Sequence, residues 1–505
     1  MKIKFYKATL LSTLLLVACS ESLLDKTNPN GGTPQTYYST TDELTKGVNA
    51  IYAVAQSISL VAREWFFIHD LRSDDMATGG GQLEVPRAQL LTGSNDASNS
   101  VAQSVWTGFF EVIHRANSVI SGSVNAGPTV TDADKRRFVG EARFLRAWAY
   151  SDLIVLWGAV PLYTEPVTSL KGGKPRTAVD DINKFMIDEL TAIQADLPDS
   201  YAPSEKGRAT KAAAQALLAR VYMFKGDYAS AKTELDKIVT SGNYSLMPNY
   251  FDNFKEETPY NAESIFEIGF YNANNNWDGN GDGTGLNEGN TRTQEYSAVG
   301  WRNLIPSDAL LAEYERTSNG SAKNDPRFAD TFVRIGDIVN NPPYALKASQ
   351  VQGNLSNFES GQEKISWRKY TSIYKTDATF YTGPMDMRII RYAEVLLNLA
   401  ECENELGVGD PVALLNQVRD RASVMMPHYP TAAYPCTSKA EIFNAIVHER
   451  RVELAGEQIR NRDLVRWRNQ GKLTSDPVSF KKALVKIPAV EIATNPSISE
   501  ADQNN

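Results

Sequence analysis

The chain has 505 residues, of which 42% are hydrophobic and 22% charged, a balance that supports a sizeable core and excludes disorder as the main state. Lys and Arg number 52 against 60 Asp and Glu, a net charge of −8 with no basic stripe, which argues against nucleic acid or an anionic membrane face as partner. Eight Trp, 22 Tyr and 19 Phe supply rings for the core and for stacking on a ligand.

The first 18 residues read as a targeting segment. Lys2, Lys4 and Lys7 form a basic start, and the apolar stretch Ala8 to Ala18 is too short to span a bilayer. The stretch ends Leu16-Val17-Ala18-Cys19, which resembles the bacterial lipobox. The implication is cleavage before Cys19 and acylation of its thiol as a lipid anchor. Several acyl chains anchor stably where one is marginal. Loss of the three lysines takes the net charge from −8 to −11. Residues 19–40, with Asn28-Pro29-Asn30-Gly31-Gly32, read as a flexible tether. Only Cys402 and Cys436 remain, and an exported setting permits a disulfide without the sequence deciding whether they pair.

Residues 41–246 carry helical periodicity. Leu44, Val48, Ile51 and Ala55 make one stripe; Val101, Val105, Phe109, Val112 and Ile113 make a second. Phe138, Ala142, Leu145, Ala149, Leu153 and Leu156 make a longer one that should end near Gly158. From Lys211 to Val239 a small-residue helix, the turn Gly226-Asp227-Tyr228 and a second helix resemble a tetratricopeptide (TPR) unit, and such units stack into solenoids. Residues 247–385 lose this pattern and gain Asn, Gly, Pro and Tyr, which predicts a loop-rich insertion with short strands such as Ser264 to Phe270. Helices return over 386–505, with Ile389, Ala393, Leu396 and Ala400 on one stripe and Ser438 with Glu441 opening another helix. The run His448 to Arg468 reads as ion pairing rather than an anion site. The expected fold is mostly α, a TPR-like helix-pair scaffold interrupted by the insertion.

Several segments, in this order, resemble the SusD/RagB family of starch-utilisation-system D-like surface lipoproteins. They are Gly140-Glu141-Ala142-Arg143-Phe144-Leu145-Arg146-Ala147-Trp148, Leu156-Trp157-Gly158-Ala159-Val160-Pro161, Gly207-Arg208-Ala209-Thr210-Lys211, Asp325-Pro326-Arg327, Arg391-Tyr392-Ala393-Glu394, Asn416-Gln417-Val418-Arg419 and Glu449-Arg450-Arg451-Val452-Glu453-Leu454. The resemblance covers essentially the whole chain. It implies a SusD-like α-superhelix, lipid-anchored at the outer membrane and surface-exposed, that captures a glycan. The captured glycan passes to a SusC-like TonB-dependent transporter. The RagB branch keeps peptide capture, or a pure scaffold subunit of an importer, as the alternative. These are scaffold motifs and do not name the sugar.

Candidate ligand residues lie in loops. Trp277 sits in Asn274-Asn275-Asn276-Trp277-Asp278, with no apolar periodicity to give it a core. A sugar needs a ring for its apolar C–H face and amides or carboxylates for its hydroxyls, which Trp277, Asn276 and Asp278 together offer. Tyr296 is a further candidate, with Trp301 beside it. By the resemblance, Asp74, Asp75 and Arg87 are expected to hydrogen-bond the glycan. Asp278, Asn280 and Asp282, with Gly283 at the sixth position, match the start of an EF-hand-like calcium loop, although Gly289 stands where the usual Glu would. The alternative of a plain Asn/Asp/Gly loop stays open. Trp106, Trp148, Trp157 and Trp467 read as core.

An enzyme is disfavoured. A glycoside hydrolase needs two carboxylates across a scissile bond, and Asp74 and Asp75 qualify only by being acidic. No G-x-S-x-G occurs, Val452 breaks the H-E-x-x-H begun at His448, and the four His have no metal-ligand spacing.

Overall fold

A computed structural model describes residues 37–78, 83–169, 172–271, 289–339, 343–351, 365–375, 382–473, 475–478, 481 and 484–504. The first helix among the described residues, α1 (Thr41–Ala55), is set by a capping box. Thr40 Oγ1 accepts the Glu43 N–H at 3.2 Å and Glu43 Oε2 accepts the Thr40 N–H at 3.0 Å. Its buried face is the predicted stripe Leu44, Val48, Ile51 and Ala55. Then come α2 (Glu64–Leu71), β1 (Met76–Thr78), α3 (Val85–Thr92), α4 (Ser100–Gly122) and α5 (Asp132–Trp157). Thr131 caps α5, and Gly158, at φ +71°, ends it as the sequence predicts. The short pair β2 (Val160–Pro161) and β3 (Arg176–Thr177) precedes α6 (Val179–Ile193), α7 (Lys211–Lys225) and α8 (Tyr228–Ser241).

Between α7 and α8, Gly226 takes φ +79°, a left-handed value that costs a glycine little, and Asp227 then accepts the Ser230 N–H at 3.1 Å to start the next helix. Successive helices from α4 to α8 pack each on the next. Ala213, Ala214, Leu217 and Leu218 are fully buried there; each large aliphatic contributes about 1.5–3 kcal/mol of burial.

The insertion contains β4 (Ser264–Ile268), α9 (Arg292–Tyr296), β5 (Leu304–Pro306), α10 (Asp308–Glu313), α11 (Arg327–Thr331), β6 (Phe332–Arg334), β7 (Ile338–Val339), β8 (Tyr344–Ala345) and β9 (Ile365–Trp367). The chain returns through β10 (Met387–Arg391) to α12 (Tyr392–Leu406), α13 (Pro411–Arg419), α14 (Lys439–Glu453), α15 (Arg460–Asn469) and α16 (Ala489–Thr494). Among the described residues each sheet is one antiparallel pair: β1–β5, β2–β3, β4–β10, β6–β9 and β7–β8. α12 packs on α8, so the solenoid resumes where the insertion left it.

Ile389 is not on the helical stripe of α12, because β10 pairs with β4 and the helix begins only after Arg391. The fold is mostly α, as expected, with one main core and a satellite of Ala298, Val299, Val333, Val339, Leu346, Val351 and Ile373 inside the insertion.

Candidate functional site in the insertion and the loop facing it

The loop before β1 reaches the insertion through the β1–β5 pair, in which Met76 stands opposite Pro306. Asp74 and Asp75 precede that strand and do not face solvent. Asp74 accepts from Arg460 Nε at 2.7 Å and pairs with Arg451 at 3.0 Å. Asp75 Oδ1 accepts from Arg451 Nε at 2.8 Å. Burial raises the Asp75 pKa to about 6, and Asp74 beside it adds to the rise; burial would also raise Asp74, but Arg460 and Arg451 outweigh that and hold it low. Their backbone carbonyls accept from Ser307 Oγ at 2.6 Å and Ser307 N at 2.8 Å, which fixes the start of α10. The pair therefore clamps the insertion onto α14 and α15, and its oxygens are committed to guanidinium groups rather than offered to a glycan or across a scissile bond.

Arg87 is likewise internal. It is 1% exposed, donates to Glu64 Oε1 at 2.8 Å, pairs with Glu84 and lies 4.1 Å over the Phe67 ring. It belongs to α3, a short helix inside a stretch that reads as loop. The sequence does carry the helix's punctuation, Pro86 in its first turn and Gly93 at φ +74° after it.

Tyr296 is corrected more sharply, because it is not an open platform. Its ring is fully buried, Arg292 sits 3.7 Å above it, Phe66 and Phe67 meet it edge-on, and its hydroxyl donates to Asp70 at 3.0 Å. Asp70 also accepts from Arg292 at 2.9 Å and from Gln458 at 3.1 Å. Trp301 is half-buried, with its backbone N–H donating to Gln294 O at 2.6 Å.

Trp277, Asn276 and Asp278, the calcium residues Asn280 and Asp282, and Cys19 lie outside the described residues. The flanks of the Trp277 segment are described, and both are fastened at one place. On the entering side the Phe270 N–H donates to Asp386 at 2.7 Å. On the leaving side Asn290 Nδ2 donates to Met385 O at 3.1 Å, and Asn290 and Gly383 exchange backbone bonds at 2.7 and 2.8 Å. Residues 383–386 thus anchor both ends. Neither Asp386 nor Asn290 stood out in the sequence, since one acid and one amide in a polar stretch carry no pattern.

Beneath the site lies an ion network. Arg391 meets Glu263 at 2.6 Å, Glu453 at 2.7 Å and Glu457 at 2.6 Å. Arg421 joins Glu263 at 2.7 Å and Glu453 at 2.8 Å, and Arg327 joins Glu449 at 2.6 Å and Glu453 at 2.9 Å. Burial would raise the Glu263 pKa; Arg421 and Arg391 overcome it and bring it down to about 2. Burial would lower His448, but its hydrogen bond to Glu313 at 2.7 Å and the Glu315 carboxylate 3.5 Å away carry it up to about 9. The basic run is therefore ion-paired, but to distant segments more than to its own helix. Trp148, Trp157 and Trp467 are fully buried and Trp106 is 2% exposed, as core residues should be. Cys402 and Cys436 are both free thiols. Among the described residues no group of acids, His and Cys is placed to hold a metal, and no helix is long and apolar enough to cross a membrane.

The geometry defines a class: a stacked helix-pair frame from which an ion-clamped insertion projects its loops. The family described as "SusD family" matches residues 262–499, and that described as "Starch-binding associating with outer membrane" matches residues 23–223. The chain belongs to the SusD/RagB family. It is 25% identical to SusD-like protein P25 of Formosa agariphila, over 94% of this chain and 93% of that one. A SusD-like carbohydrate-binding protein from Bacteroides fragilis superposes with a TM-score of 0.73 at 24% identity, covering 91% and 92% of the two chains. Surface glycan-binding protein A from Bacteroides thetaiotaomicron, solved with laminarihexaose, superposes with a TM-score of 0.71 at 23% identity, covering 92% and 99%.

Proposed function

We propose that this chain is a lipid-anchored, surface-exposed protein of the outer membrane that captures an oligo- or polysaccharide and delivers it to a SusC-like TonB-dependent transporter. It works as a binder, without catalysis. The observation that carries the reading is the joint anchorage of the Trp277 segment. The residues that bound this stretch, Phe270 before it and Asn290 after it, are both fastened at residues 383–386, and the stretch between them carries Trp277, Asn276 and Asp278, residue types suited to a sugar. The carbohydrate-binding relatives that share the fold over more than nine-tenths of their length support the same reading. The lipobox-like Leu16-Val17-Ala18-Cys19 and the family description support anchorage at the outer membrane through Cys19. Calcium on Asp278, Asn280 and Asp282 belongs to this proposal as a brace for the ligand segment. Affinity should be modest, because a delivery protein has to release what it holds.

Isothermal titration of the chain against a panel of polysaccharides and a peptide pool tests the reading. Binding to a glycan and not to peptides is expected. Binding to peptides alone would overturn it in favour of a RagB-like peptide importer.

A further inference from the structure

A second surface lies where the helical frame meets the first strand of the insertion. The connection between α6 and α7 faces α1 and β4 across two hollows of about 660 and 360 Å³. Both share Lys206, Gly207, Arg208, Tyr260 and Glu267, so they form one trench joined at Tyr260. Each lobe is in the size range of small-ligand clefts, roughly 300–1,000 Å³.

Tyr260 is built into its place. Its φ of +49° is unfavourable for a bulky side chain and persists only where surroundings enforce it. Its backbone N–H is held by Glu267 Oε1 at 2.6 Å. Its ring rests against Gly207 and Gly269, and a Cβ at either position would run into it. The far end of the larger lobe carries Tyr271, with 69% of its surface exposed.

The walls match a neutral ligand. Lys46, Lys206 and Arg208 are balanced by Asp199, Glu205 and Glu267, and several are already paired: Lys46 with Asp42, Arg208 with Glu141, Asp199 with Lys211. Exposed Asn49 and Asn243 add amides in opposite lobes. Rings for C–H faces, amides for hydroxyls and no net charge are what a neutral sugar chain requires.

We propose that this trench is a second saccharide-binding surface, on which a neutral oligosaccharide lies across Tyr260 and Tyr271. The inference rests on the glycan reading above.

The test is isothermal titration of the full chain with a hexasaccharide panel that includes laminarihexaose and maltohexaose, using wild type, Trp277→Ala, Tyr271→Ala, Tyr260→Ala and the triple variant, with thermal melts alongside. Trp277→Ala should leave residual binding, and Tyr271→Ala should weaken that residue about tenfold without moving the melt, since its ring lies in water. The triple variant should bind nothing. Abolition of all binding by Trp277→Ala alone would overturn the second surface, as would undiminished binding in both Tyr variants, while leaving the glycan reading intact. Failure of the wild type to bind any member of the panel would instead sink the glycan reading and this inference with it.

Discussion

The helices α4 to α8 and the insertion with its C-terminal partners both have apolar cores, and they differ in how far buried ion pairs reinforce them. The first region is joined by Ala, Leu, Phe and Trp side chains that interdigitate along consecutive helices. The second is joined by guanidinium and carboxylate groups that are fully buried and arrive from distant parts of the chain, as Arg391 does with Glu263, Glu453 and Glu457. Apolar packing is non-directional and tolerates drift. A buried ion network has one good geometry, and it is strongly destabilised when one partner is removed.

The largest effect should come from breaking the network. Glu453 accepts from Arg391, Arg421 and Arg327, so Glu453→Ala takes one partner from each of three buried cations and should cost about 3–5 kcal/mol in urea unfolding. Loss of only a few tenths would show that the ions add little to cohesion.

A second prediction concerns pH. The folded His448 pKa of about 9 lies above its ordinary 6.5, so its contribution to stability is fully present below pH 6.5 and disappears as pH rises through 9. The expected loss is on the order of 3 kcal/mol across that window. His448→Gln should flatten this part of the stability profile, and an unchanged slope would assign it to other groups.

The smallest effect belongs to the frame. Asp227 accepts the Ser230 N–H at 3.1 Å, and Asp227→Ala should lower stability by about 1 kcal/mol in the same unfolding assay, with glycan binding untouched.

The same contrast decides what was legible in the sequence. The frame was legible because its cohesion repeats along the chain: the stripes of α1, α4 and α5 and the turn at Gly226 fall where periodicity and punctuation place them. The insertion was legible as a loop-rich break with a strand at Ser264–Ile268, but its clamps were not, because an ion pair leaves no period. Nothing local to Asp74 announces Arg460, 386 residues away, and so Asp74, Asp75 and Arg87 read as ligand contacts when they are clamps. Tyr296 misled for a related reason. A tyrosine in a polar stretch looks exposed, yet Asp70, Arg292 and Gln458 make a polar core around it. Ile389 read as helix because β4, its strand partner, is far away in sequence.

The most direct test of the central claim, that the insertion binds while the frame holds, pairs glycan titration with thermal melting of Trp277→Ala. The account predicts affinity for the bound glycan weakened about tenfold or more with an unchanged melt. Undiminished affinity, or a melt that falls with the substitution, would contradict it.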